Sequence, residues 1–113
     1  MTTLNEKYGH LKKTPSGPLS DARGATPAFY WNEEVAAAEE KSIFRRDWVC
    51  PSLAAEIPDV WDYITFSIAG EPVFSICDRA GEIKTYSNVC RHRMMQLLEG
   101  SGRTSRVICP NHA

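Results

Sequence analysis

Asp62–His92, DYITFSIAGEPVFSICDRAGEIKTYSNVCRH, is the stretch on which the fold turns. Ile64, Phe66 and Ile68 fall on one side of an extended chain, and Tyr63, Thr65 and Ser67 on the other. That is the two-residue period of a strand. Ala69-Gly70-Glu71-Pro72 reads as a turn and Val73–Cys77 as a second strand. Asp78-Arg79-Ala80-Gly81 reads as a second turn, leading to a third strand around Ile83–Tyr86. A fourth strand is predicted over Arg103–Ile108, entered through Glu99-Gly100-Ser101-Gly102. Short strands with tight turns predict a mainly β domain, either an antiparallel sheet or a small barrel.

Upstream the grammar is helical. Asn32 is a suitable N-cap, Glu33 and Glu34 put negative charge on the first turn, and Ala36–Ala38 raise helix propensity. The helix is predicted to run to about Asp47, with Ile43, Phe44 and Trp48 as the apolar patch that docks its end. Residues 1–27 are polar and rich in turn-formers, as in Thr14-Pro15-Ser16-Gly17-Pro18, and read as a flexible arm. His10 lies in that arm with no ligand type beside it, which predicts a solvated histidine. The expected division is an arm over 1–27, a helical lead-in over 28–48 and a β domain over 49–113.

A chain of 113 residues has room for one modest core. The composition, 42% hydrophobic and 24% charged with a formal net charge of −1, gives no reason to expect nucleic acid or an anionic membrane as partner. No apolar run approaches a membrane span, and MTTLNEKYGHLKK lacks the apolar core of a secretory signal, so the cytoplasm is the expected address. Reducing conditions there disfavour disulfides among the four cysteines and favour metal ligation or burial. Cys50 and Cys77 stand in apolar, strand-like surroundings and read as small hydrophobes.

The other two cysteines have histidine companions. Cys90-Arg91-His92 is followed, with sixteen residues between, by Cys109-Pro110-Asn111-His112. Two such loops brought together offer two thiolates and two imidazoles, a set that can hold a 2Fe–2S cluster asymmetrically. Neutral imidazoles in place of two thiolates reduce the negative charge of the site and make the reduced state easier to reach. A Cys2His2 zinc site uses the same atoms, but structural zinc sites usually pair cysteine with cysteine and histidine with histidine along the chain. A Cys/His nucleophile needs one of each and leaves the second pair unexplained.

With these loops, the chain resembles the large (alpha) subunit of the bacterial Rieske non-heme iron oxygenases. The likeness runs from about Phe29 to Ala113 and includes I43-F-R-R-D-W-V, A69-G-E-P-V and Y86-S-N-V-C-R-H-R. It implies a Rieske-type antiparallel β sandwich or barrel, with Cys90 and Cys109 on the inner iron and His92 and His112 on the outer. It also implies a mononuclear Fe(II) in a separate catalytic domain, a ferredoxin or flavin reductase drawing on NAD(P)H, and a trimer or an alpha3beta3 assembly. The implied substrate is a small organic molecule, with ring dihydroxylation of an aromatic compound foremost and monooxygenation or demethylation, quaternary amines included, beside it.

Three departures qualify the likeness. Asn111 stands where the family often has tyrosine or tryptophan. Met95 and Asn111 occupy the places of the two cysteines that form a disulfide in respiratory Rieske proteins, which implies the low-potential branch. The chain stops one residue past His112, so the β domain is expected to be incomplete at its C-terminus and the catalytic domain absent. The competing readings are a stand-alone Rieske ferredoxin and a zinc-binding structural module.

Overall fold

The computed structural model describes residues 6, 9, 18–22, 24–25 and 27–112. Most of the predicted arm, His10 included, lies outside them. The chain divides into two compact units, Met1–Ile43 and Phe44–Ala113.

In the first unit, helix α1 (Ala28–Trp31) is followed by α2 (Glu33–Glu39). The Asn32 side chain caps α2, its Oδ1 accepting from the N–H groups of Glu34 at 2.9 Å and Val35 at 3.3 Å. Val35 is the buried anchor of this helix. The helix stops well short of Asp47, because Glu40–Phe44 winds as a π-helical turn. The Ser42 hydroxyl donates to the Ala38 carbonyl there, a back-bond that disturbs regular winding. Wider winding also breaks the register that would put Ile43, Phe44 and Trp48 on one face. The expected docking patch is therefore open to solvent, at 45%, 47% and 103% of full exposure.

The second unit is an open antiparallel sheet of four strands, β1 (Asp62–Ile68), β2 (Glu71–Cys77), β3 (Ile83–Ser87) and β4 (Ser101–Arg103), in the order β3-β2-β1-β4. Ile68 pairs with Glu71 across a two-residue turn whose residues Ala69 and Gly70 both have positive φ, 50° and 76°. That backbone matches the twist of a hairpin. β2 is central and the best protected, with Phe74, Ser75, Ile76 and Cys77 all buried. The register sets Phe74 opposite Thr65 and Ile76 opposite Tyr63, so these share one face, while Ile64 and Phe66 share the other with Ser75 and Val73. Both faces thus carry apolar side chains, and β1 is half-buried on each rather than cleanly two-sided. Burial of a side chain such as Phe74 or Ile76 contributes about 1.5–3 kcal/mol.

Three local expectations are corrected. β2 begins at Glu71 and so includes Pro72, which the turn reading had excluded. The Pro72 carbonyl accepts from Asn88 N–H at 2.8 Å, and the N–H that proline lacks would have faced the same neighbour. The fourth strand is Ser101–Arg103, not Arg103–Ile108. Arg103 opposes Asp62, the first residue of β1, so there is no strand left for later residues to pair with. Thr104 makes the last rung to the Trp61 carbonyl at 2.9 Å, then turns the chain away by bonding its hydroxyl to the Arg106 carbonyl at 2.7 Å. Cys77 is buried as expected, but Cys50 is exposed, because residues 48–53 form no strand that could turn it inward.

Candidate metal centre

Two loops leave the same sheet. The first, Asn88–Leu98, continues β3. Within it Cys90 N–H donates to the Met95 carbonyl at 2.7 Å and Met94 N–H to the Cys90 carbonyl at 2.9 Å. This tight closure puts Met94 at φ 58°, in the left-handed region. Outside that bracket Val89 and Gln96 form an isolated antiparallel bridge. The second loop runs from Thr104 to His112 and ends in a turn closed by His112 N–H to the Cys109 carbonyl at 3.1 Å. Pro110 stands at the second turn position, which suits its fixed φ.

The loops meet at the predicted ligands. One donor atom each from Cys90, Cys109 and His112 lies within 4.8 Å of the others. His112 Nδ1 is 3.1 Å from Cys109 Sγ. His92 falls outside that tight group, but its ring stands beside that of His112, with centroids 4.3 Å apart. Both cysteines are half-buried and both histidines exposed, so the imidazoles are the more solvent-accessible part of the set. All four cysteines of the chain are free thiols.

Electrostatics favours ligation. The Cys90 thiol is held below its ordinary value, first by the His92 backbone N–H, then by the Cys109 side chain and the Arg93 N–H, against an opposing desolvation. The deprotonated thiolate is the form that binds metal. A cleft walled by Phe74, Tyr86, Val89, Leu97 and Val107 borders Cys90 and Cys109 on the side of the sheet that carries Phe74.

Residues 47–113 match the model of the Rieske [2Fe-2S] domain. The chain belongs to the Rieske domain family. Among its relatives, the carnitine monooxygenase oxygenase subunit of Acinetobacter baumannii is 37% identical over 86 residues, covering 75% of this chain and 23% of that protein. The glycine betaine monooxygenase oxygenase subunit of Chromohalobacter salexigens is 33% identical over 110 residues, covering 84% and 25%. Among solved structures, naphthalene 1,2-dioxygenase from a Rhodococcus species, bound to indole, superposes with a TM-score of 0.77 at 29% identity. That likeness covers 99% of this chain and 25% of the dioxygenase chain. The Rieske chain thus spans about a quarter of the length of the curated relatives it matches.

The donor types fit a Rieske cluster. Cys90, Cys109 and His112 lie together, the His92 ring stands beside that of His112, and the cysteines are less exposed than the histidines. One residue of the Rieske domain escaped sequence reasoning. Asn88 is 1% exposed, and its side chain bonds Leu98 twice. An asparagine at a strand end is a common turn former, and that was the signal available. Among the described residues, no helix is long and apolar enough to cross a membrane.

Proposed function

We propose that Cys90, His92, Cys109 and His112 hold a 2Fe–2S cluster, both thiolates on one iron and both imidazoles on the other. The chain would then be the electron-relaying Rieske portion of an oxygenase large subunit. The observation that carries this reading is the convergence of Cys90, Cys109 and His112 within 4.8 Å, with the His92 ring alongside His112. Held by these four residues, a cluster would supply one-electron chemistry, the relay between a reductase and the mononuclear iron expected of an oxygenase. The chain's own residues set the conditions. Cys90 and Cys109 anchor the buried side of the site, and the exposed His92 and His112 edges give electrons their route in and out.

An oxygenase is favoured over a stand-alone ferredoxin because the curated relatives named above are oxygenase subunits. Among the substrate classes expected, quaternary amines gain the most support, since those two relatives are monooxygenases named for carnitine and glycine betaine. The electron donor is a ferredoxin or flavin reductase fed by NAD(P)H. Residues 88–113 carry four arginines against one glutamate, whereas the preceding 87 carry nine basic against thirteen acidic side chains. That asymmetry suits an acidic donor at the ligand loops. The multi-component assembly of such oxygenases, a trimer or alpha3beta3, and a cytoplasmic address belong to the same reading.

Anaerobic reconstitution with iron and sulfide tests it. The expected product is coloured, holds equimolar iron and labile sulfide, and bleaches when NAD(P)H and an oxygenase-type reductase are added. A colourless protein that instead retains zinc would overturn the cluster and the relay together.

A further inference from the structure

Asn88 engages every side of the first ligand loop's base. Its N–H donates to the Pro72 carbonyl at 2.8 Å, tying it to β2. Its carbonyl accepts from Leu97 N–H at 3.2 Å. Its side-chain Nδ2 donates to the Leu98 carbonyl at 2.8 Å, and its Oδ1 accepts from Leu98 N–H at 2.9 Å. The amide thus forms with Leu98 the same two-bond ring that a strand residue forms with its antiparallel partner. Pro72 makes the arrangement possible. In the β2–β3 register Pro72 would follow as the partner of Asn88, but proline has no N–H to give, so the Asn88 carbonyl is left for Leu97.

From this geometry we infer that Asn88 is a positioning residue of the metal centre. It closes the loop of Asn88–Leu98 and so fixes the spacing of Cys90 and His92 before any cluster is present. The inference rests on the proposed cluster only for what the loop holds; the clamp itself is a property of the metal-free chain. Because Asn88 is almost fully buried, water cannot readily stand in for its four bonds, and losing one leaves a buried polar group unpaired. Among common replacements, alanine loses both side-chain bonds. Aspartate keeps the acceptor and the shape but cannot donate to Leu98 when ionised. Glutamine has the right groups on a stem one methylene too long.

Hydrogen exchange on the metal-free chain provides the direct test, comparing the unsubstituted protein with Asn88→Ala, Asn88→Asp and a core control, Ile76→Val. Asn88→Ala should speed exchange of the Leu97 and Leu98 amides about tenfold or more. Amides of the β1–β2 ladder should be unchanged. Asn88→Asp covers the case in which the alanine variant does not fold, and should speed Leu98 less. Ile76→Val should loosen the ladder without singling out the loop. After loading, both Asn88 variants should shift the electron paramagnetic resonance g-values, and Ile76→Val should not. Unchanged Leu98 exchange in both Asn88 variants, or g-values identical to those of the unsubstituted protein, would overturn the inference. If the unsubstituted chain takes up no cluster, the cluster reading fails, and exchange alone decides the clamp.

Discussion

The β1–β2–β3 meander and the two ligand loops belong to one unit but are held by different means. The meander is redundant. Eleven cross-strand residue pairs join its three strands, and β2 is buried along four consecutive residues. The loops are sparse, each fixed by a few polar bonds around Asn88, Cys90, Thr104 and Cys109. A redundant ladder tolerates the loss of one contact, while a sparse loop concentrates its geometry in single residues. The region that carries the chemistry is therefore the one where a small change acts locally and completely.

The largest expected effect separates the two regions outright. Cys109→Ala should abolish cluster loading, read as loss of visible absorption. Because Cys109 is half-exposed and outside the sheet, the metal-free protein should keep its unfolding free energy within about 0.5 kcal/mol. A collapse of the sheet in that variant would break the comparison. Next in size is Phe74→Ala. Phe74 is 4% exposed, lies in β2 with its ring centroid 5.6 Å from that of Tyr86, and also walls the cleft beside Cys90. Its removal should cost about 3–5 kcal/mol in chemical denaturation and weaken both regions together.

The smallest effect concerns the junction where β4 gives way to the second loop. Arg103 Nε donates to Asp62 at 2.8 Å and its Nη2 to Asp59 at 2.6 Å. The bond from Arg103 holds the Asp62 carboxyl below the ordinary carboxylate range, assisted by the Asp59 N–H. A depressed carboxyl contributes stability above its unfolded value and loses it as pH falls through the folded one. Stability should thus decline from about pH 5 toward pH 3, and Asp62→Asn should flatten part of that decline. Some slope should persist, since Asp78 is held low in the same direction by Lys84. An identical pH profile for Asp62→Asn would remove this clasp from the account.

Much of the meander was legible because strand alternation and turn residues act locally. Ile64, Phe66 and Ile68 announce β1, and Ala69-Gly70 announces the hairpin, without any knowledge of distant contacts. The fourth strand was misplaced for a non-local reason: its length depends on where β1 begins, and Asp62 ends the pairing at Arg103. The helix end was misjudged because Ser42 bonds backward to Ala38, a choice that periodicity does not reveal. In the site, the ligand residues announced themselves by chemistry, since a Cys–His pair repeated on two loops is hard to explain otherwise. Their brace did not. Asn88 looks like any turn residue until Pro72 and Leu98, sixteen residues before it and ten after, are brought beside it.

The central claim, that two imidazoles and two thiolates from these loops share one cluster, is tested most directly by pulsed electron paramagnetic resonance on protein labelled with ¹⁵N-histidine. The chain has three histidines, His10, His92 and His112, so the assignment is short. The reduced, reconstituted protein should show two strongly coupled histidine nitrogens. One should disappear in His92→Cys and the other in His112→Cys, while His10→Ala should leave both. A paramagnetic cluster with no coupled histidine nitrogen, or a coupling that survives both replacements, would contradict the account.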